Sequence, residues 1–236
     1  MTIELQHISR SISNSDLCKN PFEHLYIKNF FSHIFYKKFL QFLPDKENYI
    51  QINKTKSVSR DYPDERYIFN INPESFKIFD NEQKLFFGEV VNSLMSKDFF
   101  DAVVNKFGNN EFKVKPEDLN IRMALVKDYT NYNLGAHTDS ADKFMTFLFY
   151  LPGDDSHKHI GTSLYQLKKT ANKNIAYSHH YSEQETKELF EEKKLAEFLP
   201  NSVLIFPRTD FSYHGVSSIN VGSYERNVFL LNYNYK

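Results

Sequence analysis

The chain of 236 residues lacks most features that would assign it at a glance. It has one cysteine, Cys18, which excludes an intrachain disulfide and any metal site built from several thiolates. Charge of one dominant sign is missing as well: 29 Lys and Arg stand against 30 Asp and Glu, for a formal net charge of -1. With a pI of about 6.8, nothing in the bulk electrostatics points to nucleic acid or an anionic membrane. No apolar run approaches the length of a membrane span, and the opening MTIELQHISR has no apolar core of the signal-peptide kind. Internal repeats and low-complexity linkers are absent too. These absences predict a cytoplasmic protein folded as one domain over residues 1–236, with neither nucleic acid nor membrane among its partners.

What the chain does have is aromatic and aliphatic bulk. Hydrophobic residues make up 41%, with 23 Phe and 15 Tyr, enough for a substantial core. Residues 1–119 read as a mostly helical and irregular support. HIFYKKFLQFL (His33–Leu43) and the run from Glu82 to Phe107 carry apolar residues at helical spacing. In the second run, Leu85, Phe86, Val90, Leu94 and Met95 are expected on one face, with Phe99, Phe100, Val103 and Val104 on a following helix. The segment from Tyr49 to Phe79 has no clear period and could line a pocket.

From residue 120 the character changes. IRMALVKDY, KFMTFLFYL, TSLYQL, SVLIFP and NVFLLNYNY are short aromatic and branched runs separated by turn signals, and the more polar SYHGVSSI is a further strand candidate. The succession favours a mainly antiparallel barrel or sandwich over repeated strand–helix units. SEQETKELFEEKKLAEF (Ser182–Phe198) interrupts it and reads as a charged helical insertion, with Ser182 and Glu185 as a capping box. On KFMTFLFYL, strand alternation predicts that Thr146, Leu148 and Tyr150 face inward together while Phe147 and Phe149 pack behind the sheet.

One polar turn stands out, NLGAHTDS (Asn133–Ser140). On extended backbone His137 and Asp139 point to the same side, so an imidazole and a carboxylate can meet one ion. The best third ligand is His214, which lies 75 residues after Asp139 in FSYHGVSS. Two His and one carboxylate on one face of a metal suit non-haem Fe(II), because the opposite positions stay open. The same set also suits zinc and hydrolysis through a bound water. The pairs His157/His159 and His179/His180, together with His7, His24 and His33, lack partners at metal-site spacing and read as ordinary histidines.

The order of pieces is more specific than the turn. His137-x-Asp139 is followed by KFMTFLFYL, then Gly161-Thr162, then FPRTDFSYHGV, and then Arg226 twelve residues beyond His214. In this the stretch from Ile121 to Lys236 resembles the Fe(II)- and 2-oxoglutarate-dependent dioxygenases, in particular their prolyl-4-hydroxylase-like branch. It departs in having Gly161-Thr162 where Gly-Gly is frequent, and in a longer segment before the distal His.

The resemblance implies a mainly β fold with flanking helices. Its core would be a double-stranded β-helix (jelly-roll, cupin-like) over residues 120–236, carrying the helical insertion near 182–198 on an α/β N-terminal support. It implies His137, Asp139 and His214 as ligands of Fe(II), with 2-oxoglutarate and O2 as cosubstrates. Arg226 would receive the distal carboxylate, for which a guanidinium offers a bidentate fork. Tyr129, Thr146 and Lys143 stand where the family has cosubstrate-contacting residues; Ser212 and Asn232 are further pocket candidates.

The implied activity is hydroxylation of an unactivated C–H bond of a peptidyl residue or small metabolite, with release of succinate and CO2. Asp139 argues against halogenation, which needs the carboxylate position open for halide. Two rivals use the same residues otherwise: a zinc-dependent hydrolase on the same triad, or a non-catalytic β-sandwich that binds a ligand.

Overall fold

The computed structural model describes residues 2–55, 58, 62–108, 114–169, 171, 179–220 and 222–236. Its helices are α1 (Ile3–Asn14), α2 (His33–Gln41), α3 (Ser75–Ile78), α4 (Asn81–Leu94), α5 (Lys97–Lys106) and α6 (Glu183–Leu189). Its strands are β1 (Leu25–Lys28), β2 (Ile50–Gln51), β3 (Arg66–Ile71), β4 (Leu119–Asp128), β5 (Leu134–His137), β6 (Lys143–Tyr150), β7 (Thr162–Leu167), β8 (Phe190–Ala196), β9 (Ser202–Pro207), β10 (His214–Val216) and β11 (Arg226–Tyr235). The strands pair antiparallel in two sheets, a large one in the order β1-β9-β6-β11-β4-β3-β2 and a small one in the order β5-β10-β7-β8. From β4 onward the chain alternates between sheets, except at the β7–β8 pair within the small one, so that the two face each other in a double-stranded β-helix of jelly-roll kind with flanking helices.

Side-chain alternation sorts the large sheet into two faces. Phe147 and Phe149 of β6 lie in one apolar cluster with Phe39 of α2, Phe87 of α4, Phe99 of α5 and Phe229 of β11. Tyr150, with Leu148 beside it, belongs to the second cluster, between the sheets, with Val126, Leu164, Phe206 and Val228. The expected facing of Thr146, Leu148 and Tyr150 is therefore observed, and Thr146 is buried. The helices are what the Phe side of the sheet packs against.

Several boundaries follow from local chemistry. Ser32 caps α2 by accepting from the Phe35 N–H, and Ser96 opens α5 by accepting from the Phe99 N–H. That cap divides the apolar run at Glu82–Phe107 into two helices. The buried face of α4 is rotated from the expected one: Phe86, Phe87, Val90 and Leu94 are buried, whereas Leu85 and Met95 are exposed. Phe99, Phe100, Val103 and Val104 of α5 are all buried, as their spacing predicts.

One expectation is corrected. The charged stretch from Ser182 to Phe198 is helical only over Glu183–Leu189, with the expected Ser182–Glu185 capping box; Phe190–Ala196 is strand β8, paired along β7. Its Glu and Lys residues favour helix intrinsically, but an edge strand tolerates them, and pairing with β7 outweighs a weak propensity. The first 119 residues form the expected α/β support, in which β1, β2 and β3 extend the large sheet at both edges. No helix among the described residues is long and apolar enough to cross a membrane.

Phe149 contacts the rings of Phe30, Phe31 and Phe229 at centroid distances of 5.2, 5.6 and 5.4 Å. Phe149→Ala is expected to cost about 3–5 kcal/mol in urea unfolding. Phe211→Ala, at a residue 72% exposed, is expected to change stability by less than about 0.5 kcal/mol.

Candidate metal centre

Strand β5 ends on His137 and β10 begins on His214, and the two are directly paired across the ladder. Their rings lie 4.3 Å apart between centroids. Asp139 follows two residues past the end of β5, and ligand atoms of His137, Asp139 and His214 all lie within 4.8 Å of one another. All three residues are buried. Among the described residues this is the one cluster of His, Cys, Asp or Glu with metal-binding spacing.

Hydrogen bonds prepare the donors. His137 Nδ1 donates to the Gly135 carbonyl at 2.9 Å, and His214 Nδ1 donates to the Ser212 carbonyl at 3.0 Å. Each bond fixes the proton on Nδ1 and leaves the lone pair on Nε2, as metal-binding imidazoles require. Burial pushes the His137 pKa well below its ordinary value, helped by His214 and His180, and burial also lowers that of His214. For Asp139, burial works toward a higher pKa, but Lys143, His214 and His137 reverse this and hold it below the ordinary carboxylate range. Neutral imidazoles beside an ionised carboxylate form a donor set ready for a divalent cation. Two N donors and one O donor fit non-haem Fe(II) and fit zinc by type.

Lys143 and Thr146 both reach the Asp139 carboxylate. Lys143 Nζ contacts Asp139 Oδ1 at 2.5 Å, and Thr146 Oγ1 donates to Asp139 Oδ2 at 2.7 Å. Asn232, opposite Thr146 in the β6–β11 register, lies 3.3 Å from the threonine hydroxyl. Ser212 is used in its own turn, where its hydroxyl accepts from the Thr209 N–H and donates to the Thr209 carbonyl.

Arg226 is 1% exposed and begins β11 on the face between the sheets. Its Nε donates to the Ile160 carbonyl at 2.7 Å and its Nη1 to Asp128 Oδ2 at 2.7 Å. Nη2 makes a longer contact, 3.4 Å, with Thr162 Oγ1, which accepts from the Tyr150 hydroxyl at 2.7 Å. The guanidinium lies 5.6 Å from the Tyr150 ring centre and 5.3 Å from that of Phe198. Tyr129 stands apart from this group: its hydroxyl donates to Glu225 at 3.2 Å and its ring meets Tyr67 edge-on. Tyr132, three residues on, is fully buried, as Tyr150 is, and its ring centre lies 4.3 Å from the Arg66 guanidinium.

Sequence reading gave no role to Arg66, Asp128 and Tyr132, and it placed Tyr150 and Thr162 without linking them to Arg226. Asp128 did carry a signal, because the alternation Ala124, Val126, Asp128 aims a carboxylate at the interior, where it requires a cation. His180 is exposed, in keeping with its reading as a surface histidine, and yet it sits against one of the candidate ligands. Its ring packs edge-on against His137 at 4.6 Å and against Tyr62 at 5.5 Å. The segment carrying it is tied to β5: the Tyr181 N–H donates to the Ala136 carbonyl, and the Ala136 N–H donates to Thr186 Oγ1. Gly135 makes this approach possible, since a Cβ there would sit 1.8 Å from the Tyr181 carbonyl oxygen.

No protein-family model matches the chain, and no curated protein matches it in sequence. Solved structures do match in fold. A prolyl hydroxylase from Trichoplax adhaerens, bound to a hypoxia inducible factor oxygen degradation domain peptide fragment, superposes with a TM-score of 0.56 at 14% identity, covering 98% of this chain and 89% of that one. A prolyl 4-hydroxylase from Phytophthora capsici gives 0.55 at 13% identity; all of this chain aligns, and it spans 66% of that protein's length. The non-haem alpha-ketoglutarate-dependent epimerase SnoN from nogalamycin biosynthesis gives 0.51 at 6%, covering 98% and 80%. At such identities the likeness is one of fold, and the fold hosts more than one reaction.

Thr146→Val keeps shape and removes the donor to Asp139. It is expected to weaken Fe(II) or Co(II) binding by about 10–100-fold in a metal titration while leaving the thermal transition nearly unchanged.

Proposed function

We propose that the chain is an Fe(II)- and 2-oxoglutarate-dependent dioxygenase that hydroxylates an unactivated C–H bond of a peptidyl residue or small metabolite, releasing succinate and CO2. The observation that carries this reading is the pairing of a buried two-His, one-carboxylate cluster with a buried arginine in the same space between the sheets. Thr146, at the metal end, and Tyr150, at the arginine end, are four residues apart on one face of β6, about 13 Å along the strand. An arginine side chain and a five-carbon dicarboxylate between them suit that gap. A zinc hydrolase has no use for the second feature. A cytoplasmic location belongs to the same reading.

His137, Asp139 and His214 would hold the iron, which supplies the activation of O2 coupled to oxidative decarboxylation of the oxo acid. The chain's own residues do the rest. Lys143 and Thr146 hold the Asp139 carboxylate in one orientation, and the Gly135 and Ser212 carbonyls hold the two imidazoles. Arg226 offers Nη2 toward the distal carboxylate of 2-oxoglutarate, and the Tyr150 and Thr162 hydroxyls lie beside it as further partners. Tyr150, Phe198 and Leu164 wall this end with apolar surface, which excludes water and strengthens the charge pairing. His180 stands on the more exposed side of His137, where a substrate arriving from solvent meets it.

Anaerobic addition of Fe(II) and 2-oxoglutarate together should produce a visible metal-to-ligand charge-transfer band that neither gives alone. His214→Ala should abolish it, and Arg226→Ala should raise the 2-oxoglutarate concentration it requires by at least tenfold. A folded wild-type protein without the band, or with hydrolytic activity independent of 2-oxoglutarate, sinks the proposal.

A further inference from the structure

Three charged residues form a row across the large sheet. Asp128 of β4 is in register with Arg66 of β3 on one side and with Arg226 of β11 on the other. Arg66 Nε and Nη2 donate to Asp128 Oδ1 and Oδ2 at 2.6 and 2.9 Å, and Arg226 Nη1 donates to Oδ2 at 2.7 Å. The side chains of Arg66, Asp128 and Arg226 are 12%, 0% and 2% exposed. Two guanidiniums against one carboxylate leave one positive charge in surplus inside the protein. Burial opposes the Arg66 charge, and Asp128, Tyr132 and Tyr62 more than restore it. The neighbouring Tyr132 stays neutral, because burial raises its pKa.

Without Arg66 the arithmetic changes. Asp128 and Arg226 would then form a neutral buried pair, and Arg226 would have little left with which to attract an anion. We infer that Arg66 is a positioning residue for cosubstrate binding: by engaging both oxygens of Asp128, it keeps that carboxylate from cancelling Arg226 and supplies the surplus charge that a distal carboxylate neutralises. The inference rests on the dioxygenase reading. It assigns a task in the site to the Tyr49–Phe79 region, through β3. Arg66 does not touch the carboxylate itself, since its three nitrogens are committed to Asp128 and, through Nη1, to the Tyr62 hydroxyl at 3.0 Å.

Two oxo acids separate this role from a structural one. Both 2-oxoglutarate and 2-oxobutyrate present the same chelating end to iron, but the second has no distal carboxylate. In anaerobic charge-transfer titrations, Arg66→Gln should raise the Kd for 2-oxoglutarate by about 10–100-fold, from the loss of one nearby unit charge. It should leave the Kd for 2-oxobutyrate within about twofold. Arg66→Lys, which keeps the charge but cannot cover both Asp128 oxygens, should fall between wild type and Arg66→Gln for 2-oxoglutarate. Equal weakening of both oxo acids, or unchanged 2-oxoglutarate binding in Arg66→Gln, overturns the inference. Should Arg66→Gln not fold, Arg66→Lys carries the test: a several-fold loss confined to 2-oxoglutarate supports the inference, and an equal loss or none overturns it. Absence of a band in wild type with either oxo acid would instead refute the dioxygenase reading.

Discussion

His137 and His214 meet because the β5–β10 ladder sets them directly opposite each other, and the rest of the site is arranged around that register. Opposite residues in an antiparallel pair hold their Cβ atoms about 5 Å apart, within which two imidazoles can share an ion. A slip of one residue would send one ring to the outer face of the small sheet. The register is held from both sides. β7 pairs with β10 and aligns Leu164 with His214, while the segment around Tyr181 grips β5 at Ala136. Gly215 lets the two backbones close, since a Cβ there would lie 2.5 Å from the Leu134 carbonyl oxygen. With the histidines fixed, Asp139 falls over the start of β6, and the donors that stabilise it come from Lys143 and Thr146 on that strand.

Much of this was legible in the sequence, for reasons that differ between elements. Strands β7 and β9 coincide with TSLYQL and SVLIFP, because short apolar runs between turn signals are a local pattern. The ligand triad was legible through the order of its pieces, and the inward facing of Thr146 and Tyr150 through a period of two. β8 was not, because its Glu, Lys and Leu residues prefer helix and only the vacant edge of β7 makes them a strand. Tyr129 is half-buried, whereas Tyr132, three residues on and past the turn, is fully buried, which no local pattern announces. His180 showed no metal spacing, since its contact with His137 depends on how residues 179–189 fold back onto β5. What escaped was the non-local part, where a residue's neighbours come from another strand.

The space between the sheets also shows how a polar lining survives in an apolar fold. Asp128, Arg226, Thr162 and Tyr150 are all buried, and each finds a partner among the others or on a backbone carbonyl. Removing one partner leaves another buried group unsatisfied, which costs more than the bond itself contributed. Such a network tolerates replacement as a set far better than one member at a time. The Phe cluster on the other face of the same strands follows a different rule: volume and apolar character suffice there, and many sequences satisfy them.

These two rules together account for the low identity to proteins of the same fold. The helix-side core can change almost wholly while the sheets stay in place, so 13–14% identity accompanies TM-scores of 0.55 and 0.56. The metal-spaced cluster and the buried arginine draw on a few side chains at the ends of β4, β5, β6, β10 and β11. Two contacts at the site come from segments outside that framework: β3 brings Arg66 to Asp128, and residues 179–189 bring His180 to His137. Both segments reach the interior from outside the β4–β11 alternation. It is at these two contacts, on either side of the proposed cosubstrate path, that differences from other proteins of this fold would change which molecules enter and how they are held.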